Sequence, residues 1–233
     1  RDADIRDLFR IVYRHTGLNL LWHKSLRGRA NVRVRDIEAG LLIEAVAQSF
    51  GFSLKQQGNI VYLGEPERLA EMLPPADLKG DGTVSLDFRD ADIRDIAKII
   101  ASRAKCDFVT GTNVRGNVTV SLQDVNVAEA MIGIARVNGF DAVESDGLWV
   151  LADPRELPGL LEAWKQPAPE PTTKISLDFR DVGIQGLVQI VADKGGLRYP
   201  ALLNPEQRVT VRFQDRSADR IYNLLLKLGG GTL

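Results

Sequence analysis

The densest set of groups able to do chemistry is Asp90, Asp92, Arg94 and Asp95. Carboxylates this close together are the material of general acid–base catalysis or of a hard cation site. The same residues also suit the start of a helix, where acidic side chains face the positive end of the dipole. His15 and His23 are the only histidines, too few and too isolated to ligate a metal. The single cysteine, Cys106, excludes an internal disulfide framework and reads as a small buried hydrophobe. The sequence holds no HExxH motif, no Ser/His/Asp order and no glycine-rich phosphate loop after a strand. Gly229-Gly230-Gly231 reads as a helix end rather than a ligand loop. No catalytic, cofactor-binding or metal residue is therefore expected.

The elements that must position these groups recur. Residues 1–7 read RDADIRD, and residues 89–95 read RDADIRD again. The match runs on without gaps at an offset of 88, placing Gly28 on Gly116, Asp36 on Asp124 and Gly51 on Gly139. A third copy follows at an offset of 91, where LDFRD of 86–90 recurs at 177–181. Self-similarity at a fixed period outranks any local signal in reading a chain. In repeat three, Gly183, Gln185 and Gly186 replace Asp92, Arg94 and Asp95, so no site essential to every repeat is built there. A capped, solvated helix start is the expected role of the cluster.

The repeats span 1–63, 84–151 and 175–233, separated by linkers at 64–83 and 152–174. Each linker opens with an acidic residue, a proline and a short amphipathic stretch, and Met72 and Trp164 are the groups expected to dock it. Repeat one lacks the opening strand seen at 84–88, and repeat three stops before a closing hairpin, so the chain reads as part of a longer protein. Repeat two reads as a strand (Val84, Leu86 and Phe88 inward), then a helix with Ile93, Ile96, Ile99 and Ile100 on one stripe. Asp2, Asp90 and Asp181 stand where an N-cap is expected. Gly17 and Gly196 end this helix in repeats one and three, and Lys105 holds that place in repeat two. A short strand follows, then an alternating strand with Val118, Val120 and Leu122 inward and Thr119, Ser121 and Gln123 outward. A second helix and a hairpin turning at Asp146-Gly147 close the unit. The order is βαββαββ, an α+β fold.

Charge separates the repeats. With 30 basic and 31 acidic residues the whole chain is balanced, which removes any global attraction to nucleic acid or anionic membrane. By repeat the net charges are +4, −3 and +2. The excess in repeat one includes Arg27, Arg29, Arg33 and Arg35, the last three alternating with Val32 and Val34 on one expected strand face. Two readings stay open: a charged edge that blocks aggregation, and a partner-docking strip. An RNA-binding strip is less suited, because no aromatic residues flank it for stacking.

The opening LDFRDADIRD, the GNVTV strand at 116–120, Asp124-Val125 and the closing Gly-Leu-Trp-Val at 147–150 together resemble the secretin and TonB N-terminus short domain, and all three repeats share the likeness. The resemblance implies two helices sandwiched between a two-stranded and a three-stranded sheet. It implies no enzymatic activity and no cofactor. It implies a periplasmic module, attached to an outer-membrane protein, that docks other envelope proteins of a secretion or type IV pilus machine. A second member of the family, the signalling domain of TonB-dependent transducers, implies docking to an inner-membrane regulator instead. Neither implies a nucleic-acid partner or direct membrane insertion. Residues 1–233 alone are expected to be monomeric or weakly associated, with oligomers confined to a full-length parent.

Overall fold

The computed structural model describes residues 3–33, 35–76, 78, 82–166, 173–198 and 203–231. Repeat one forms β1 (Ala3–Asp4), α1 (Ile5–Thr16), β2 (Asn19–Trp22), β3 (Arg29–Ala30), α2 (Ala39–Ser49), β4 (Ser53–Gln57) and β5 (Ile60–Gly64). The first linker contains α3 (Pro66–Met72). Repeat two forms β6 (Thr83–Asp92), α4 (Ile93–Arg103), β7 (Asp107–Thr110), β8 (Asn117–Asn126), α5 (Val127–Val137), β9 (Asp141–Ser145) and β10 (Leu148–Ala152). The second linker contains α6 (Leu157–Lys165), and repeat three gives β11 (Lys174–Gly183), α7 (Ile184–Gly195), β12 (Arg208–Ser217) and α8 (Ala218–Leu228). The class is α+β, and repeat two has the expected βαββαββ order.

The sheets cut across the repeats. One five-stranded sheet runs β4-β5-β2-β8-β6 and the other β9-β10-β7-β12-β11. In each, three strands of one repeat are completed by the two long strands of the next. The joining pairs are equivalent: Leu20 faces Ser121, and Phe108 faces Arg212. The chain accordingly divides into two compact units. One holds 1–92 with 116–139, the other 93–115 with 140–233.

In the second unit one apolar core takes in Val109 and Val150 of repeat two, Trp164 of the linker, and Val211, Phe213 and Leu224 of repeat three. In the first unit a core forms around Ile5, Phe9, Leu20, Ile43 and Leu63. The linker helices are part of these units. Met72 and Trp164 are buried as expected, with Trp164 stacked on Phe213 at 6.0 Å and donating its indole N–H to the Ser145 carbonyl.

Several local expectations change. Asp90 and Asp181 are not N-caps. They sit in β-bulges of β6 and β11 with φ of 53° and 47°, and each donates its backbone N–H to a threonine hydroxyl, Thr119 or Thr210. Aspartate tolerates this left-handed conformation better than most residues. The strands run two residues further, so the N-cap of α1 is Asp4, whose carboxylate accepts from the Arg6 N–H. Asp2 lies outside the described residues. Ser121 is buried rather than outward; it pairs with Leu20 of β2, and its hydroxyl donates to the Asp87 carboxylate. Cys106 is half-buried. Gly230 does take the left-handed conformation that ends α8, with φ of 78°.

Candidate functional site: the repeat junctions

Two charged residues of the sequence cluster, Arg94 and Asp95, make ion pairs across a joint between repeats, while Asp90 accepts from the Asn117 amide within repeat two. In the first unit, Arg10 of α1 pairs with Asp87 of β6 at 3.2 Å, and Arg89 of β6 with Asp7 of α1 at 3.4 Å. In the second unit the same positions meet again. Lys98 of α4 pairs with Asp178 of β11, and Arg180 of β11 with Asp95 of α4. The second unit adds Arg94 to Asp181 at 2.5 Å, where the equivalent Arg6 pairs with Asp4 instead. Arg94 and Asp95 are thus not a solvated helix start. They form ion pairs with the following repeat.

A second polar lock sits where the sheets join. Asn19 accepts a hydrogen bond from the Gln123 backbone N–H at 2.6 Å and donates its amide to the Gln123 carbonyl at 3.0 Å. Its equivalent, Asp107, accepts from the Gln214 backbone N–H at 2.8 Å. A carboxylate cannot donate to the carbonyl, and Asp107 pairs with Arg216 instead.

Electrostatics follow this geometry. The Ser121 hydroxyl, and then Arg10, hold the Asp87 carboxyl below its usual range. Burial pushes Asp181 up, but Arg94 and Arg208 outweigh it and its net shift is downward. Burial pushes Glu129 of α5 up, and its buried Oε1 has no hydrogen-bond partner.

The histidines have structural places. His15 Nδ1 lies 2.8 Å from the Ile11 carbonyl, and buried His23 lies 2.7 Å from Ser25 Oγ, its pKa lowered by burial and then by Arg68. Among the described residues no group of three or more His, Cys, Asp or Glu side chains is placed to hold a metal, and no helix is long and apolar enough to cross a membrane.

The arginine strip does not form the strand face expected of it. Only Arg29 lies in a strand, the two-residue β3 that pairs with β1. Arg27 and Arg33 lie in irregular backbone and Arg35 in a bend, all exposed, while Val34 lies outside the described residues. In repeats two and three the equivalent segment is a ten-residue strand held on both edges. Repeat one has no such pair of partner strands among the described residues.

With the joints described, the likeness to known proteins has a place. Residues 86–149 match the family model of the GspD-like N0 domain. That segment is nearly the whole of repeat two, the repeat on which the sequence resemblance was read. None of the curated proteins matches the sequence. Among solved structures, the N-terminal domain of the secretin XcpQ from Pseudomonas aeruginosa is similar over 98% of this chain and 96% of that one, at 12% identity and a TM-score of 0.24. The Klebsiella pneumoniae type II secretion outer-membrane complex of PulD, PulS and the PulC HR domain is similar over 98% of this chain and 38% of that one, at 15% identity and a TM-score of 0.26. The InvG, PrgH and PrgK basal-body assembly of the Salmonella SPI-1 type III injectisome covers 99% of this chain and 45% of that one, at 12% identity and a TM-score of 0.25. The N0 match of repeat two carries the assignment that follows.

Proposed function

We propose that this chain is a non-enzymatic, periplasmic assembly module of a secretin-type envelope machine, built from three N0-like repeats and attached to an outer-membrane protein. The observation that carries this reading is the N0 match over 86–149. The use of Arg94 and Asp95 in ion pairs between repeats supports a structural rather than catalytic role.

The docking surface in this reading is the incoming face of repeat one. Arg33 and Arg35 stand at the positions of Ser121 and Gln123, which join β8 to the preceding repeat. Ile37 and Leu41 stand at those of Val125 and Glu129. Both are exposed, Ile37 by 40% and Leu41 by 56%. Large apolar side chains left in water at positions that are joints elsewhere mark an interaction surface. Arg27, Arg29, Arg33 and Arg35 lie beside them, so the occupant is an envelope protein offering a sheet edge with acidic side chains. Strand addition supplies the main-chain hydrogen bonds and the arginines select the partner.

The test is cell fractionation of the source organism, with crosslinking of the native chain and of an R33E/R35E variant. An envelope location, with a crosslinked protein partner lost in the variant, supports the reading. A cytoplasmic location overturns the envelope assignment. Crosslinks unchanged in the variant overturn the docking surface.

A further inference from the structure

The two joints share a geometry but differ in side chains, and at three places the differences are matched across each joint. In the first unit, Gly133 of α5 faces Leu21 and Tyr62. A Cβ on Gly133 would lie 2.8 Å from Leu21 Cδ1 and 2.8 Å from the Tyr62 hydroxyl. In the second unit the equivalent residues are Leu224, Val109 and Val150, all fully buried in one core. The volume has moved from the sheet to the helix.

The second place is at the hairpin turn. Gly58 lies against Glu129, and a Cβ on Gly58 would come 2.5 Å from Glu129 Oε1. The equivalents are Asp146 and Arg220, which form an ion pair at 3.5 Å. The third is the polar lock, where Asp107 pairs with Arg216; the equivalent positions of the first joint hold Asn19, bonded to the Gln123 backbone, and the buried Val125.

We propose that these three matched positions fix the order of the repeats, so that each three-stranded sheet accepts its own following repeat and rejects the other. The mismatches follow from the side chains. The sheet of repeat one meeting repeat three would drive Leu224 into Leu21 and Tyr62, and would leave Arg216 facing Asn19. Overpacking of that kind is costly, as is a charge taken from water with no counter-charge. The sheet of repeat two meeting a second copy of repeat two would set Asp146 beside Glu129, leave Asp107 against Val125, and leave a void where Gly133 faces Val109 and Val150. Two chains that came together through these edges could exchange repeats only in the native order.

The test exchanges one joint's residues for the other's in the full chain and reads the unfolding of the first unit through Trp22 fluorescence. Gly58→Asp alone is expected to lower the unfolding midpoint, since it sets a carboxylate beside Glu129. The backbone suits the change: Gly58 has φ of 55° and Asp146 adopts 51° at the same turn position. Adding Glu129→Arg is expected to restore the midpoint, so the two changes couple favourably. Strictly additive effects would overturn the proposal. The size exchange gives an independent arm. Gly133→Leu is expected to lose the cooperative transition of the first unit, and Leu21→Val with Tyr62→Val in the same chain to recover it. Failure of that recovery, with the circular dichroism of the second unit intact, would also overturn the matched code.

Discussion

The two joints use one topology with different chemistry. At both, an edge strand of one repeat pairs with the long second strand of the next, in the same register. Among the described residues the first joint is closed by neutral amide contacts, two outer ion pairs and a glycine under bulky sheet residues. Among the described residues the second carries five ion pairs between the repeats, Asp107–Arg216 among them, and a leucine over small sheet residues. The comparison teaches that strand pairing supplies the joint while side chains supply its identity. Exposed ion pairs contribute only about 0–1 kcal/mol each, against about 1.5–3 kcal/mol for each large apolar side chain fully buried. The apolar core therefore holds the joint and the charges choose the partner.

The largest effect that would break the comparison is at Trp164. It is fully buried, stacked on Phe213, and lies 4.9 Å beneath the Arg220 guanidinium. Trp164→Ala is expected to cost about 3–5 kcal/mol. Chemical denaturation should show the loss in the second unit, with the Trp22 transition of the first unit unmoved. Asp107→Ala comes next. It leaves the Gln214 N–H and the Arg216 guanidinium without their acceptor, and breaking such a pair costs about 3–5 kcal/mol when fully buried. Arg216 keeps 32% of its side chain exposed, so about 2 kcal/mol is expected here. Asn19→Ala at the equivalent place removes neutral hydrogen bonds alone and should cost less, about 1 kcal/mol.

Acid sharpens the contrast. Asp87 and Asp181 have folded pKa values below those of the unfolded chain. Their stabilisation is full above the unfolded aspartate value of about 3.9 and is lost as pH falls through the lowered folded values. Glu129 shifts the other way. Its raised folded pKa destabilises the fold above that value, and this penalty is relieved as pH falls through it. In the first unit this relief opposes the loss from Asp4 and Asp87, whose folded pKa values are both lowered. Glu129→Gln removes the relief, so the variant should lose more stability on acidification than the native chain does, as read by unfolding across a pH series.

How much of this was legible in the sequence differs by level. The α+β class, the βαββαββ order and the docking of Met72 and Trp164 followed from periodicity and from the repeat. The joints did not. The alternation in β8 reports one inward and one outward face, but not which strands pair with its two edges. Ser121 and Thr210 look outward by alternation and are buried, in strands whose edge pairs with the preceding repeat. The charge cluster misled for the same reason. Asp7, Asp95, Arg89 and Arg180 look like solvated residues until their partners, more than 80 positions away, are placed beside them. Two signals bore on the joints without locating them: the alternation of net charge between adjacent repeats, and the loss of the cluster in repeat three. The N-caps were misplaced by two residues because a bulge at Asp90 lengthens the strand, and no local motif distinguishes a bulge aspartate from a capping one.

The smallest expected effect tests the likeness of the repeats themselves. Helices α1 and α7 end at Gly17 and Gly196, with φ of 69° and 67°. The equivalent residue after α4 is Lys105, with φ of 56°. A side chain in this conformation brings its Cβ against the backbone, at a cost of about 1 kcal/mol that glycine avoids. Lys105→Gly relieves that strain but gives the unfolded chain more freedom to lose, which offsets part of the gain. The strain term is the larger where φ is positive, so the variant should be more stable by about 0.5 kcal/mol. The converse change, Gly17→Lys, installs the strain in repeat one. No atom lies within 4 Å of a Cβ built on Gly17, so its cost is conformational alone and should match the gain at Lys105 in size. Equal and opposite shifts in the denaturation midpoint would show that the two helix ends are interchangeable where the joints are not. A larger loss at Gly17 would show that repeat one needs its glycine for more than the turn.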